Sequence, residues 1–438
     1  MKVAFYTLGC KTNQYETQAL EGLFAARGHT LVPFDSPADV YVVNTCTVTA
    51  LADKKSRAVC RRAKRMSPAS ILIVCGCYGQ VSHQEAREST GADLVLGVTG
   101  KGRIVELAEL ALAGRRPEGG LVDALWDAGA AAPAFEALPA GGLVGRTRAL
   151  LKVQDGCQNF CTYCKIPFAR GPSRSAPPEV AVRDAALLSA QGYHEIVVTG
   201  IEISSWGADL PGNPTPADLI EGICAAAPEV RIRLGSLEPR TVTEGFAARL
   251  AKHKNLCPHF HLSLQSGSDA VLAAMNRHYT ASRYAESCDI LRAHFPGCAI
   301  TADLIVGFPG ETEDDFVQSL ALLERCRLAE VHVFPFSRRA GTRAYDLPNQ
   351  LTAAEKTERA GRAAEVVSAL RADYLESCVG RTLSALFETE TDGLWIGHAG
   401  EYVPVAVASA DNLGNRVRDV AVECVEGDTL RGKLIPTP

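Results

Sequence analysis

Residues 154–164 read QDGCQNFCTYC and place Cys157, Cys161 and Cys164 in the spacing C-x3-C-x2-C. The loop directly follows the strand-like run ALLKVQ, at the edge where (β/α) proteins carry their chemistry. Three thiolates on one short loop can bind three irons of a 4Fe–4S cluster and leave the fourth iron open to an exogenous ligand. A structural zinc site normally needs four protein ligands, and no adjacent residue supplies a fourth. The spacing therefore predicts an iron–sulfur cluster at the mouth of a barrel.

The sequence around this loop predicts a barrel over residues 143–375. Six strand-like runs alternate there with helical patterns: ALLKVQ, HEIVVTG, VRIRLGS, HFHLSLQ, ITADLIVG and EVHVFPF. Six βα units indicate an open (β/α)6 barrel, since a closed barrel of this type needs eight.

The flanking segments differ from the barrel in pattern. Residues 1–115 contain the near-continuous apolar runs VAFYTL, DVYVVNT, ILIVCG and DLVLG, which are typical of a doubly wound parallel sheet buried on both faces. Residues 116–142 are rich in Ala, Gly and Pro and predict a linker. Residues 376–438 alternate apolar and polar side chains between glycine-containing turns, which predicts a small antiparallel β-barrel. The fold class is therefore α/β with a C-terminal β-barrel.

Three further cysteines follow strands of the N-terminal domain, namely Cys10, Cys46 and Cys77. The ends of parallel strands meet at one edge, so we expect these thiols to lie together. Cys75 competes for the third position, although alternation keeps it inside its strand. Buried structural thiols remain an alternative for the set, because its separations are long. Eight scattered cysteines are predicted to be small buried hydrophobes: Cys60, Cys224, Cys257, Cys288, Cys298, Cys326, Cys378 and Cys424.

The cysteine loop at the first barrel strand resembles the radical S-adenosylmethionine (SAM) superfamily. The resemblance implies that SAM binds the open iron through its amino and carboxylate groups. It also implies reductive cleavage to methionine and a 5′-deoxyadenosyl radical, which abstracts hydrogen from a substrate. Four residues resemble the cofactor contacts of the superfamily: Glu238, Gln265, Arg277 and Asp303. Carboxylates suit an ammonium or ribose hydroxyls, and an arginine suits a carboxylate.

Seven motifs together resemble the methylthiotransferase family of radical SAM enzymes: LGCKTNQYE, NTCTVTA, GCYGQ, QDGCQNFCTYC, LQSGSD, MNRHYT and DLIVGFPGETEDDF. The resemblance covers nearly the whole chain and implies a methylthiotransferase N-terminal domain, a radical SAM barrel and a C-terminal TRAM domain. It also implies that Cys10, Cys46 and Cys77 hold a second 4Fe–4S cluster. Gln158, Lys165 and Glu202 depart from the usual pattern, which leaves details of the cofactor pocket open.

Three branches of this family modify isopentenyladenosine in tRNA, threonylcarbamoyladenosine in tRNA, or an aspartate of a ribosomal protein. LGCKTNQYE, the QDGC form of the loop and HVFPFSRRAGTRA resemble the threonylcarbamoyladenosine branch. This implies methylthiolation at C2 of the adenine beside the anticodon. The isopentenyladenosine branch, the ribosomal-protein branch and a non-catalytic iron–sulfur RNA-binding protein are the competing interpretations.

A threonylcarbamoyl group carries a carboxylate, which predicts a cationic pocket. Arg338, Arg339 and Arg343 follow the sixth barrel strand and are candidates to meet this carboxylate. Contacts of these arginines with solvent or RNA phosphate are the alternative.

The distribution of basic and acidic residues along the sequence indicates which segments could contact nucleic acid. The net charge is −5, but residues 54–65 hold seven Lys or Arg and no acid, which predicts a helix with a cationic face, either solvated or in contact with phosphate. Residues after Cys378 hold five basic and nine acidic residues, unlike a typical RNA-binding barrel. The family resemblance implies three partners: a tRNA anticodon loop, an electron donor such as flavodoxin or ferredoxin, and a sulfur donor that the sequence does not identify. No export signal or membrane-length apolar run is evident, so a cytoplasmic protein without a membrane partner is expected.

Overall fold

The computed structural model describes residues 1–115, 134–140 and 147–436. Most of the predicted linker, residues 116–133 and 141–142, lies outside the described residues. Residues 134–140 form neither helix nor strand, and the carbonyl of Leu138 accepts a hydrogen bond of 2.8 Å from the Tyr15 hydroxyl. Among the described residues, no helix combines the length and apolar character that crossing a bilayer requires.

The N-terminal region is a doubly wound α/β domain, as predicted. Its five strands are β1 (Lys2–Thr7), β2 (Thr30–Val32), β3 (Val40–Thr45), β4 (Ile71–Gly76) and β5 (Leu94–Val95). They pair in parallel in the order β2-β1-β3-β4-β5. Its helices are α1 (Lys11–Ala26), α2 (Ala50–Met66), α3 (Cys77–Val81), α4 (His83–Thr90) and α5 (Ile104–Leu112). Apolar side chains pack on both faces of the sheet, which explains the unbroken apolar runs.

The central region is the predicted open barrel. Its strands are β6 (Arg148–Lys152), β7 (Gln154–Asp155), β8 (Arg174–Ser175), β9 (Glu195–Thr199), β10 (Arg231–Leu234), β11 (Ser236–Leu237), β12 (His259–Gln265), β13 (Ala299–Val306) and β14 (Glu330–Pro335). Its helices are α6 (Ile166–Arg170), α7 (Pro178–Ala190), α8 (Pro216–Ala226), α9 (Glu244–Leu250), α10 (Asp269–Ala274), α11 (Ala281–His294), α12 (Glu313–Cys326) and α13 (Ala353–Glu376).

The barrel strands run in parallel through β6, β9 and β10 and again through β11, β12, β13 and β14. The third strand of the prediction is divided at Gly235 into β10 and β11. Short β7 and β8 form an antiparallel pair beside the cysteine loop. Within the part of the chain that the structure describes, β6 and β14 end their sheets and do not pair, so the barrel is open on one side.

The N-terminal domain contacts both edges of that opening. On one edge, Lys152 of β6 donates to Glu16 of α1 over 3.0 Å. On the other, Arg339 follows β14 and donates to Asp53 of α2 over 2.6 Å and to Thr47 over 2.9 Å. The segments that follow β1 and β3 therefore lie at the side of the barrel lumen.

A buried ion cluster joins these two parts. Glu16 pairs with Lys101, with Lys152 at 3.0 Å and with Arg170 at 3.0 Å. Asp155 accepts from Lys152 at 2.6 Å and from Arg170 at 2.8 Å. Although burial alone would raise the pKa of Glu16, the cations around it hold that pKa well below its usual value. We call this group the Glu16 cluster; its members are Glu16, Lys101, Lys152, Asp155, Arg170 and Arg174.

The C-terminal region is a closed five-stranded barrel. Its strands are β15 (Thr382–Thr391), β16 (Leu394–Ala399), β17 (Pro404–Ala408), β18 (Arg416–Glu426) and β19 (Thr429–Leu434), in the order β15-β16-β17-β19-β18. Four of its strand pairs are antiparallel as predicted, but β17 and β19 pair in parallel, because closure brings these two strands side by side in the same direction. Arg231 of β10 donates to carbonyl oxygens of β15 and β16, so this barrel covers the amino ends of the central strands.

Replacing Glu16 with Ala should lower the free energy of unfolding by about 3–5 kcal/mol, because it leaves buried Lys101, Lys152 and Arg170 without their shared carboxylate. Urea unfolding of the iron-free proteins would measure the loss. Glu109→Ala is the matched control, since Glu109 pairs with Arg27 at the surface and its removal should leave the free energy of unfolding nearly unchanged. Equal losses in the two variants would contradict a special role for the Glu16 cluster.

Candidate active site

The cysteine loop leaves β7 at the carboxyl end of the barrel. Gly156 has φ +74°, and a Cβ there would lie 1.9 Å from the Pro172 carbonyl oxygen, so only glycine allows this close turn. The Cys164 N–H donates to the Cys161 carbonyl over 2.9 Å, which curls the loop. Burial raises the pKa of Cys157 and of Cys164 to about 12, so without a metal these thiols keep their protons at neutral pH.

Arg277 lies against this loop. Its Nη1 donates to Cys161 Sγ over 3.3 Å and its Nε to the Tyr279 hydroxyl over 3.2 Å. The remaining Nη2 is buried and has no hydrogen-bond partner among the described residues. A buried donor without a partner is costly, and it fits the carboxylate of a ligand held beside the cysteines.

Two carboxylates lie close to the same loop. Glu202 accepts hydrogen bonds from the Ser204 N–H and from Asn159 Nδ2, both over 3.1 Å. Burial, followed by the neighbouring Glu238, raises the pKa of Glu202 to about 7. Glu238 itself pairs with Arg240 at 2.9 Å. Two adjacent carboxylates of this kind suit the ammonium of a ligand.

Glu202 is a candidate site residue that the sequence did not indicate, because the sequence marked it only as a departure from the family pattern. Its place after β9 is equivalent to that of Glu238 after β11, and this equivalence is the signal that could have found it. The repulsion between the two carboxylates arises only when the strands of the folded barrel bring them together, which the local pattern does not contain.

The remaining two predicted cofactor residues lie in the wall of the lumen. Gln265 ends β12 and has φ +67°, an uncommon conformation for a residue with a side chain. Asp303 lies within β13 and contacts His261 Nε2 at 3.3 Å. The structure thus brings Glu238 and Arg277 to the cysteine loop and places Asp303 deeper in the barrel.

The second cysteine set lies at one edge of the N-terminal sheet. Gly9, with φ +105°, approaches Cys46 so closely that a Cβ there would lie 3.1 Å from Cys46 Sγ. Burial raises the pKa of Cys46 to about 11; the Val48 N–H, which donates to its sulfur, opposes the rise, and the nearby Cys77 and Cys10 add to it. Cys75 is fully buried within β4.

Arg170 of the Glu16 cluster reaches this second set. Burial raises the pKa of the Cys77 thiol, and the Arg170 guanidinium opposes that rise. The Nε of Arg170 is buried and has no hydrogen-bond partner among the described residues. The Glu16 cluster holds four basic and two acidic side chains, so the surroundings suit an anionic group on the cysteines.

The described residues contain no group of three or more His, Cys, Asp or Glu arranged to hold a single metal ion. A 4Fe–4S cluster makes a different demand, because each thiolate binds its own iron and the sulfurs do not converge on one point. Each set of three thiols therefore fits the donor chemistry of a cluster better than that of a mononuclear site.

The three arginines proposed to meet a substrate carboxylate have different surroundings. Arg339 is nearly buried and paired with Asp53. Arg338 donates through Nε to the Tyr345 carbonyl over 2.7 Å and lies over the ring of that tyrosine. Arg343 is exposed. Of the three, Arg339 is the most constrained by its partners.

The basic stretch forms α2, as predicted, and much of its charge is paired. Arg57, Arg62 and Lys64 pair with acidic side chains, and Arg61 donates to a carbonyl. The cations of this helix without a partner among the described residues are Lys54, Lys55 and Arg65.

Seven of the eight scattered cysteines are buried, as predicted, but Cys424 is exposed. It follows Val422 on β18, and a register shift between these two residues turns Cys424 off the inner face of the C-terminal barrel.

Comparison with known proteins agrees with this geometry. A family model described as "Radical SAM superfamily" matches residues 151–323, and one described as "Uncharacterized protein family UPF0004" matches residues 2–97. The cobalamin- and [4Fe-4S]-bound radical SAM methyltransferase TsrM from Kitasatospora setae shares the fold, with TM-score 0.57 and 16% identity over 90% of this chain and 77% of that chain. The chain is a radical SAM protein, and SAM and a 4Fe–4S cluster are the cofactors of that class.

Comparison with curated relatives identifies the family within the radical SAM superfamily. Threonylcarbamoyladenosine tRNA methylthiotransferase MtaB of Bacillus subtilis is 36% identical over 96% of this chain and 93% of its own length. The tRNA-2-methylthio-N(6)-dimethylallyladenosine synthase of Symbiobacterium thermophilum is 32% identical over 100% of this chain and 95% of its own length. The chain belongs to the methylthiotransferase family of radical SAM enzymes, which confirms the family expected from its motifs.

Replacing Arg277 with Met should weaken SAM binding about 10- to 100-fold, because it removes the unpaired Nη2 and its charge from the cysteine loop. Calorimetric titration of SAM into the iron-loaded protein would measure the dissociation constant, with iron content as the check on cluster assembly. Arg249→Met is the control, since Arg249 of α9 is partly exposed and pairs with Asp218 and Glu221 instead. An unchanged dissociation constant for Arg277→Met would remove Arg277 from the SAM site.

Proposed function

We propose that this chain attaches a methylthio group to C2 of N6-threonylcarbamoyladenosine beside the anticodon of tRNA. The observation that supports it most is the placement of two separate sets of three cysteines at one lumen, one at the end of β7 and one at the edge of the N-terminal sheet. A radical SAM enzyme needs one cluster to generate its radical, and a second cluster suits the handling of sulfur.

In this proposal the two cysteine sets have separate roles. Cys157, Cys161 and Cys164 would hold the cluster whose electron cleaves a bound SAM molecule to methionine and the 5′-deoxyadenosyl radical, which removes hydrogen from C2. The second set, Cys10, Cys46 and Cys77, would hold the cluster that carries the sulfur for insertion. The methyl group of the product would come from another SAM molecule.

The remaining side chains bind and shield the reactants. Arg277 binds the carboxylate of SAM, and Glu202 with Glu238 binds its ammonium. Gln265 and Asp303 lie further along the lumen wall, within reach of the more distant parts of the cofactor or of the substrate. The N-terminal domain covers the open side of the barrel and thereby limits access of water to the radical.

The sequence identities with the two kinds of relative, 36% and 32%, differ too little to decide between threonylcarbamoyladenosine and isopentenyladenosine. The choice therefore rests on the side chains that line the lumen. His261 of β12, Asp303 of β13 and His332 of β14 form a polar strip across three adjacent strands, with the two histidine rings stacked. A polar lumen suits the hydroxyl, carboxylate and urea-like groups of a threonylcarbamoyl substituent better than an isopentenyl chain.

A non-catalytic role and a ribosomal-protein substrate receive less support. A non-catalytic iron–sulfur RNA-binding protein has no use for two carboxylates and a buried arginine nitrogen beside the cysteine loop. A ribosomal-protein substrate has less support because the curated relatives named above are, by name, enzymes that act on tRNA.

For tRNA, the proposal requires the target base to be splayed out of the anticodon loop into the lumen. The cations of α2 that lack a partner among the described residues, Lys54, Lys55 and Arg65, are candidates for phosphate contacts, as are exposed Arg343 and its neighbour Arg338. The proposed redox partner is a flavodoxin or ferredoxin, which would reduce the barrel cluster.

Replacing Cys161 with Ala should abolish formation of 5′-deoxyadenosine, whereas replacing Cys46 with Ala should abolish the methylthio product and leave part of the deoxyadenosine. Each change should also lower the iron content, because each removes one cluster. Chromatography of reactions with dithionite and counting of iron would measure both effects. Cys424→Ala is the control, since Cys424 is exposed on β18 of the C-terminal barrel. Equal loss of both products in the two variants would argue against divided roles.

Incubation of the enzyme with two tRNAs, one bearing threonylcarbamoyladenosine and one bearing isopentenyladenosine, should give a methylthiolated nucleoside only from the first. We expect the first tRNA to be methylthiolated more than about 100-fold faster, because the polar side chains of the lumen would have no hydrogen-bond partners around an isopentenyl group. Mass spectrometry of the digested tRNAs measures it. If only the isopentenyl tRNA gave a methylthiolated product, the proposed substrate would be wrong and the chain would be assigned to the isopentenyladenosine branch.

A further inference from the structure

A cavity of about 370 Å³ lies where the three parts of the chain meet. Helix α1 lines one side, the strands β6, β9 and β10 line the second, and the C-terminal barrel closes the third through Glu388 and Tyr402. We call it the junction cavity. Because it is walled by all three parts, it exists only in the assembled chain.

One face of α1 presents three polar side chains to the junction cavity. Lys11, Gln14 and Gln18 are spaced three and four residues apart, so they form a single stripe along the helix. Among the described residues, neither the Lys11 ammonium nor the Gln14 side-chain amide has a hydrogen-bond or ion-pair partner. Gln18 is 6% exposed, and its amide nitrogen is also unpartnered within the described chain.

Two arginines that also line the junction cavity are already paired. Arg148 donates to both carboxylate oxygens of Glu388 over 3.1 Å. Arg233 donates to Glu195 over 2.8 Å and to main-chain carbonyls of the C-terminal barrel. Of the described residues around this cavity, Lys11 is therefore the one cation available to an anionic ligand.

We propose that the Lys11–Gln14–Gln18 stripe is the subsite that binds the threonylcarbamoyl substituent. The Lys11 ammonium pairs with its carboxylate, and the two amides pair with its urea-like carbonyl and hydroxyl groups. The assignment rests on the proposed function, and it replaces the arginines after β14 as the proposed carboxylate partner. Nothing in it requires Arg339 to leave Asp53.

The position of the stripe along the chain supports this assignment. Lys11 directly follows Cys10, so a base whose C2 approaches the N-terminal cysteines can extend its N6 substituent along α1. The amino end of a 16-residue helix also favours an anion, since its first N–H groups carry partial positive charge. An isopentenyl chain in the same space would leave one ammonium and two amides buried without partners.

The test uses anticodon stem-loops of one sequence that differ only at the target base. The first carries threonylcarbamoyladenosine, the second its threonyl methyl ester, and the third unmodified adenosine. Fluorescence anisotropy with the full-length, cluster-loaded enzyme gives the dissociation constants without any turnover. Wild-type enzyme should bind the carboxylate form about 10- to 100-fold more tightly than the ester, as one charge-assisted hydrogen bond predicts.

Lys11→Met should abolish this discrimination by weakening binding of the carboxylate form alone, and Lys11→Arg should retain most of it. Lys252→Met is the matched control, because Lys252 is exposed in the turn after α9 and should leave all three constants unchanged. If Lys11→Met fails to load iron, Gln14→Leu serves as the second variant, and it should weaken the ester and the carboxylate form alike relative to unmodified adenosine.

Two results would overturn the subsite. The first is a Lys11→Met enzyme that still binds the carboxylate form more tightly than the ester. Where Gln14→Leu is used instead, the equivalent result is a variant whose dissociation constants equal those of the wild type. The second is discrimination that disappears in Arg338→Ala/Arg343→Ala but not in Lys11→Met. A different result would contradict the proposed function itself, namely wild-type enzyme that binds an isopentenyladenosine stem-loop more tightly than the threonylcarbamoyl form.

Discussion

Burial of the Glu16 carboxylate is the constraint on which the arrangement of this enzyme depends. A charge without water is tolerated only when partners surround it, and Glu16 takes those partners from both sides of a domain boundary. Lys101 comes from its own domain, whereas Lys152 and Arg170 come from the barrel. Separation of the two parts would leave these charges unpaired, so the N-terminal sheet is held against the open side of the barrel. That position brings the second cysteine set to the lumen.

The same ion cluster sets the charge around that cysteine set. Its four cations exceed its two carboxylates, and Arg170 lies next to Cys77 with an Nε that has no partner among the described residues. Three thiolates on a cluster would bring negative charge to this place and balance the surplus. The Glu16 cluster, which joins the domains, therefore also makes the surroundings of the second cysteine set suitable for an anionic group. A substitution that disturbs the cluster is expected to alter the charge around these cysteines as well.

Sequence patterns predicted most of the fold and part of the site, for a physical reason. Strand periodicity and cysteine spacing are local, so the doubly wound sheet, the six barrel strands and the places of Cys10, Cys46 and Cys77 followed from them. Glu202 and the Glu16 cluster did not follow, because their roles depend on side chains that only the folded chain brings near, such as Glu238 for Glu202 and Arg170 for Glu16. The parallel β17–β19 pair and the exposed Cys424 depend on closure and a register shift, which alternation alone does not encode.

In the proposed function, substrate specificity depends on the side chains, besides its cysteines, that the N-terminal domain of this chain presents to the space it covers. Since α1 begins directly after Cys10, the helix that seals the barrel through Glu16 also turns Lys11 towards the junction cavity from its first turn. The acidic C-terminal barrel closes that cavity and neutralises Arg148 through Glu388, which leaves Lys11 as the available cation among the described residues that line it. One acidic residue of this barrel thus has a local role: Glu388 neutralises Arg148 beside the place where we propose that a single carboxylate is recognised.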